Sequence, residues 1–236
     1  MKNPPLHPAS YSTLVFDCDG VLLDSNKVKT QAFYEAALPY GATAAQALAD
    51  YHVANGGVSR YKKFSYFLEN IAPVQVEGVT LEQLLDCYAK HVRNGLLSCA
   101  VADGLRELRD KTPNTRWLIV SGGDQAELRE IFAHRNLDTL FDGGIFGSPD
   151  IKEDILAREQ GSGNITSPAL FIGDSKYDYK AAREASIDFV FMSDWSEVTN
   201  WKEWCMENDI YSLANISSLN TFRAQPALAQ CHEGLS

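Results

Sequence analysis

Thr13-Leu14-Val15-Phe16-Asp17-Cys18-Asp19-Gly20-Val21 is an apolar run that ends in two carboxylates two residues apart. The run reads as a strand. On a strand, residues two apart share a face, so Asp17 and Asp19 can converge on one substrate as nucleophile and acid/base. Gly20 lets the backbone turn sharply just after them. Carboxylates this close repel each other, and a divalent cation is the usual remedy. Cys18 is a tempting nucleophile, but the same alternation turns it to the opposite face, where it reads as a small core residue.

Three later segments also place polar residues beside apolar runs. Trp117-Leu118-Ile119-Val120-Ser121-Gly122-Gly123 ends in a hydroxyl and two glycines, and Phe146-Gly147-Ser148-Pro149-Asp150-Ile151-Lys152 sets a lone lysine at the start of a helical pattern. Ala169-Leu170-Phe171-Ile172-Gly173-Asp174-Ser175-Lys176-Tyr177-Asp178 ends in Gly-Asp, with another aspartate four residues on. The order nucleophile, serine, lysine, acidic pair, running from about Ser12 to Met192, resembles the four motifs of the haloacid dehalogenase superfamily of phosphohydrolases.

By that resemblance Asp17 attacks phosphorus and becomes an aspartyl phosphate, and Asp19 protonates the leaving group and then activates water. Mg²⁺ is held by Asp17, the Asp19 carbonyl and Asp174, an oxygen-only set that suits it. Asp178 ligates the metal directly or through water, or holds Lys152; as partner of Ser175 it also fits a helix cap, and these readings are compatible. Ser121 and the Gly122 N–H bind a phosphoryl oxygen, and Lys152 offsets charge on phosphate and nucleophile. The family often has proline after this lysine, whereas Glu153 stands here.

Asn55-Gly56-Gly57-Val58-Ser59-Arg60-Tyr61-Lys62-Lys63 is a glycine hinge feeding a basic helix start. It resembles the GVSR segment of the β-phosphoglucomutase and phosphoglycolate phosphatase branch, which implies that Gly57 and Arg60 face the substrate and that Arg60 grips a distal anionic or hydroxyl group. The plainer alternative is a helix capped by Ser59 with solvated Lys and Arg. Mutases of that branch carry a histidine soon after the nucleophile motif. Asn26-Lys27-Val28-Lys29 has none, which favours hydrolysis. The expected activity is a Mg²⁺-dependent phosphatase for a small phosphorylated metabolite, a sugar phosphate or sugar acid phosphate. A phosphomutase is the alternative, and a non-catalytic phospho-Asp or metal-binding regulator fits less well because no core motif is lost. A dehalogenase would leave Asp19 and the acidic pair without a task.

The elements that must position these residues follow from periodicity. Residues 26–94 are helical in pattern: Lys29, Phe33, Ala36 and Tyr40 recur at helical spacing, as do Ala44, Leu48 and Tyr51, then Tyr61, Phe64, Leu68 and Ile71. Thr80 and Gln83 form a capping box before Leu84, Leu85, Tyr88 and Val92. Four helices without a strand read as an inserted bundle, which is what the helical cap of the superfamily looks like. From about residue 100 a helix near 103–111, a strand at 116–120, a capping-box pair Asp124/Glu127 and apolar runs at 144–146, 170–172 and 189–192 alternate. Alternation predicts an α/β fold, a Rossmann-like doubly wound parallel sheet, with ligands beyond the carboxyl ends of its strands. The expected division is a core of 11–25 and 100–222, a cap of 26–99, and irregular termini at 1–10 and 223–236; the stretch 196–222 should add a helix and a last short strand.

The chain has 236 residues, 45% hydrophobic and 22% charged, enough for one α/β domain with an insertion. A net charge of -10 argues against a nucleic-acid partner, and it means that an anionic substrate needs a locally positive site. No run reaches the ~18 apolar residues of a membrane span, and the first residues lack an apolar signal-peptide core. Five cysteines without paired spacing suggest reduced thiols in a cytoplasm. A monomer or weak homodimer is expected.

Overall fold

A computed structural model describes residues 7–73 and 78–221. The irregular tail expected at 223–236 and most of the segment 1–10 lie outside the described residues, although Pro8–Ser10 form a single 3₁₀ turn.

The chain enters through β1 (Thr13–Phe16), then runs through α1 (Asn26–Ala37), α2 (Ala42–Ala54), α3 (Arg60–Asn70) and α4 (Leu81–Ser98). After α5 (Leu105–Lys111) it alternates: β2 (Arg116–Asp124), α6 (Gln125–His134), β3 (Gly144–Ser148), α7 (Lys152–Gly161), β4 (Ala169–Gly173), α8 (Lys176–Glu184) and β5 (Asp188–Met192). It closes with α9 (Trp201–Glu207), β6 (Tyr211–Leu213) and α10 (Ile216–Thr221). The last helix is an addition to the expected helix and short strand.

Among the described residues six strands form one sheet in the order β3-β2-β1-β4-β5-β6, every pair parallel. Parallel sheets are covered on both faces, so their strands are apolar on both sides. Leu14 and Phe16 pack into one core cluster and Val15 into the other; Ile119 and Leu118, and Ile172 and Phe171, divide the same way. Each fully buried Leu or Phe stabilises the fold by roughly 1.5–3 kcal/mol. From β1 the chain builds outward through β2 and β3 on one side and then crosses to β4 on the other, so the crevice beyond β1 and β4 is the switch point where such sheets bind ligands.

Helices α1 to α4 share the larger cluster, with Phe33, Phe64 and Tyr88 in mutual ring contact. Thr80 and Gln83 make the reciprocal capping box at the start of α4. At α6 the reading needs correction. Asp124 accepts from the Glu127 N–H, but Glu127 does not return the bond; its carboxylate is taken by Arg60 at the start of α3.

Candidate active site

A cavity of about 760 Å³ opens beyond the carboxyl ends of β1 and β4, with Asp17, Asp19 and Asp174 on its sheet side and residues of α1, α2 and α3 around it. Asp17 is the first residue past β1, and Asp174 the first past β4. Both early aspartates line the cavity, while Cys18 is fully buried in the apolar cluster. Gly20 makes the turn at φ 72°, and a Cβ there would stand 2.0 Å from Asp174 Oδ2.

Asp17, Asp174 and Asp178 are buried together, each with an oxygen within 4.8 Å of the others. Lys152, the first residue of α7, is equally buried; its Nζ lies 2.9 Å from Asp17 Oδ1 and closer still to Asp178 Oδ1. Glu153 points away, accepting from the Tyr177 hydroxyl at 2.5 Å, so the departure from proline leaves Lys152 in place. Burial pushes the Asp17 carboxyl up to about 7, the charge of Asp178 adds to this, and Lys152 opposes it. Asp174 is raised well above the usual range by burial and then by Asp17 and Asp178. Burial alone would depress the Lys152 ammonium, but Asp17 and then Asp178 hold it above its ordinary value. One ammonium among three carboxylates leaves an excess of negative charge.

Asp178 serves the cap and the lysine at once. Its Oδ1 takes Lys152, and its Oδ2 accepts from the Ser175 hydroxyl at 2.7 Å and the Ser175 N–H at 3.0 Å. Asp174 receives the Asn26 amide at 2.8 Å, and that amide also donates to the Trp195 carbonyl.

Asp19 points elsewhere. Its Oδ2 pairs with Lys29 at 2.5 Å, and its Oδ1 accepts from the Ser25 hydroxyl at 2.6 Å. Burial would raise its pKa, but the Lys29 charge outweighs this, helped by the two hydrogen bonds, and lowers it. Lys29 was expected only as one position in a helical stripe. A lysine at a core position of an amphipathic helix gave no separate signal.

Ser121, Gly122 and Gly123 form an irregular stretch where the β2–β3 register shifts, so β2 runs past the expected end at 120. Ser121 is buried, accepts from the Gly123 N–H at 3.1 Å and is not among the residues lining the cavity; Gly122 and Gly123 are. Ser148 fixes the Gly122 peptide by donating to its carbonyl at 2.8 Å. The Gly57 carbonyl rests against Gly122, where a Cβ would stand 2.0 Å from the oxygen. Gly122→Ala is therefore expected to cost about 1–3 kcal/mol of stability by overpacking, measurable by denaturant unfolding.

Gly57, Arg60 and Lys63 all line the cavity. Ser59 does cap α3, but the solvated reading fails for its neighbours, because Arg60 and Lys63 are buried. The Arg60 guanidinium pairs with Glu127 and lies 4.6 Å from the Tyr88 ring centroid, while Tyr61 donates to Asp124 at 2.7 Å. The start of α3 is thus tied to the start of α6. Lys63 Nζ lies 2.7 Å from His52 Nδ1 in α2, a contact no local pattern announced.

The acidic floor fits a hard divalent cation. Asp17 Oδ1 is buried and faces the Lys152 ammonium at 2.9 Å. Burial, and after it repulsion among the carboxylates, raises Asp17 and Asp174, and a cation would relieve the repulsion. Asp178, with both oxygens occupied, is the least available of the three as a direct ligand.

A sequence profile described as haloacid dehalogenase-like hydrolase matches residues 11–186. No curated protein matches the chain. Among solved structures, a predicted phosphatase from Clostridium acetobutylicum superposes with a TM-score of 0.67 at 20% identity, over 89% of this chain and 97% of the other. The haloacid dehalogenase hydrolase of family IA, variant 3, from Entamoeba histolytica gives 0.68 at 14% identity, over 90% and 95%. CbbY from Rhodobacter sphaeroides, solved in complex with phosphate, gives 0.65 at 12% identity, over 89% and 99%. At these identities the likeness is one of fold. No helix among the described residues is long and apolar enough to cross a membrane.

Proposed function

The chain belongs to the haloacid dehalogenase-like hydrolases, and from that premise we propose that it is a Mg²⁺-dependent phosphatase acting on a small phosphorylated metabolite, a sugar phosphate or sugar acid phosphate, through an aspartyl-phosphate intermediate. The observation that carries this reading is Asp17, buried on the cavity floor with Lys152 2.9 Å from its Oδ1 and Asp174 beside it.

Asp17 forms a bond to phosphorus as the ester oxygen leaves, and Asp19 gives that oxygen a proton. Water then attacks the phosphoryl group, Asp19 accepts its proton, and phosphate departs with Asp17 restored. Lys152 screens Asp17 from the incoming phosphate. The Gly122 N–H meets a phosphoryl oxygen from a peptide that Ser148 orients, and Ser121 supports that turn through Gly123. Asp17, Asp174 and the Asp19 carbonyl would hold Mg²⁺, with Asp178 behind them. When bound, the ion supplies charge neutralisation for carboxylates and phosphoryl oxygens. Residues 26–99 act as a cap that excludes water from the intermediate until the leaving group has gone, over a core of 11–25 and 100–222.

The test is hydrolysis of p-nitrophenyl phosphate. Turnover should need Mg²⁺, vanish in EDTA and return on adding Mg²⁺ back; turnover undiminished in EDTA overturns the metal-dependent reading.

Asp19 is held ionised by Lys29 in this arrangement, which suits the base step and obliges it to leave Lys29 before acting as the acid. Asp19→Asn should lower turnover by about 10² to 10⁴. Lys29→Met removes the charge that lowers the Asp19 pKa, so the acidic limb of the pH–rate profile should move to higher pH. A limb that stays in place would separate Lys29 from the acid/base.

A further inference from the structure

The carboxylates of the cavity floor differ in what meets them. Asp17 and Asp178 have Lys152, and Asp19 has Lys29. Asp174 is buried with them, yet no ion pair reaches it among the described residues. Its side chain is met instead by a neutral group, the Asn26 amide, with Nδ2 at 2.8 Å from Oδ2. Asn26 is the first residue of α1 and lines the cavity. The same nitrogen lies 2.8 Å from the Trp195 carbonyl oxygen. Both neighbours accept, and only the NH₂ end of an amide carries two donors, so the orientation of the group is fixed by its surroundings.

The contact closes a circuit. Ser196, next to Trp195, donates to the Asp174 carbonyl at 2.6 Å and accepts from the Val198 N–H at 3.2 Å. Asp174 is thus held at its side chain and at its main chain by one short segment between β5 and α9, with Asn26 as the bridge. Thr30, on the same face of α1 four residues on, donates to Glu197 at 3.0 Å and ties that segment to the helix a second time. Gly20 leaves the room this needs. A Cβ there would stand 2.0 Å from Asp174 Oδ2 and 2.4 Å from Asn26 Nδ2, so the turn after the early aspartates packs directly on the bonded pair.

The neutrality of the donor matters. A lysine beside Asp174 would answer its charge and compete with a divalent ion for it. An amide orients the carboxylate and leaves that charge in place. Burial, then Asp17 and Asp178, raise Asp174, and the Asn26 hydrogen bond is the first influence opposing them.

We propose that Asn26 is a positioning residue for the divalent-cation site, holding Asp174 oriented toward the ion without supplying a competing positive charge. This rests on the reading of Asp17 and Asp174 as ligands of a divalent cation.

The test measures metal affinity apart from turnover. Mn²⁺, which suits the same oxygen ligands as Mg²⁺ and whose free ion is counted by its EPR signal, would be titrated into the full-length protein and displaced with Mg²⁺. Asn26→Leu keeps the branched shape and removes both donors, and Asn26→Ala removes the group. Each should raise the Mn²⁺ dissociation constant roughly ten- to a hundredfold, the usual effect of losing a partner that orients a ligand. The Mg²⁺ concentration for half-maximal turnover of p-nitrophenyl phosphate should rise by the same factor, while turnover at saturating Mg²⁺ stays close to wild type. A packing role alone would lower the melting temperature of the metal-free protein and leave the affinity of the folded protein unchanged. Ser196→Ala opens the circuit from the other side and should weaken Mn²⁺ binding by a smaller factor. Wild-type affinity in the folded Asn26 variants overturns the proposal; should those variants not fold, unchanged affinity in Ser196→Ala overturns it. Failure of the metal reading would appear instead in the wild type, as no Mn²⁺ binding and turnover undiminished in EDTA.

Discussion

Asp17→Asn is expected to abolish phosphatase turnover, by at least about 10⁴-fold, and to prevent trapping of an acyl phosphate. An amide at this position keeps the shape of the side chain but has no anionic oxygen to bond phosphorus. The same variant has a signature in stability. In the metal-free protein the Asp17 carboxyl is raised to about 7, first by burial and then by Asp178. A group raised on folding favours the folded state while protonated, and this stabilisation is lost as pH climbs from the ordinary carboxylate range through about 7. Asparagine cannot ionise. Its melting temperature should therefore gain on the wild type across that window, and Mg²⁺ should close the gap by stabilising the wild type. Residual turnover near wild type would remove Asp17 from the chemistry; a flat difference across pH would show that the carboxylate crowding is not felt.

The strand ends and helix starts were legible because their signals are local. An apolar run, a glycine and a carboxylate occupy adjacent positions, and the Thr80 box closes within one turn. Cys18 followed from alternation alone, and the acidic pair at Asp174 and Asp178 from a four-residue spacing that a helix start brings together. What stayed hidden was polar chemistry carried at core positions of helices. Lys29 and Lys63 are buried where an amphipathic pattern expects apolar side chains, and periodicity says nothing of what their ammonium groups meet. Their partners, Asp19 and His52, are set by how α1, α2 and α3 pack, which no short window encodes. Glu127 illustrates the same limit. The local reading gave its carboxylate to a cap, whereas tertiary contact gave it to Arg60, whose charge offers more than an exposed N–H.

Lys152→Met should be the most damaging single change, because it strikes turnover and folding together. The ammonium is enclosed by Asp17 and Asp178, and methionine nearly matches its volume while removing all its charge. Breaking a buried ionic cluster from one side costs about 3–5 kcal/mol, since the carboxylates left behind have neither water nor counter-charge. For a chain of this size that corresponds to a fall of about 6–20 °C in melting temperature. Loss of electrostatic support for the phosphoryl group should remove a further 10² to 10³, roughly, from turnover of the folded fraction. Mg²⁺ should restore part of the stability, because a cation among Asp17, Asp174 and Asp178 replaces some of the missing charge. It should not restore turnover, since one ion cannot neutralise the floor and also occupy the place of Lys152. The comparison with Lys63 makes the result diagnostic. Both lysines are buried to the same degree, but among the described residues only Lys152 has carboxylate partners, so burial alone predicts equal effects and pairing predicts opposite ones. Thermal melts of the two methionine variants, with and without Mg²⁺, decide between them. A Lys152→Met protein as stable as the wild type would mean that the carboxylates share a proton and that the lysine is not what holds the floor together.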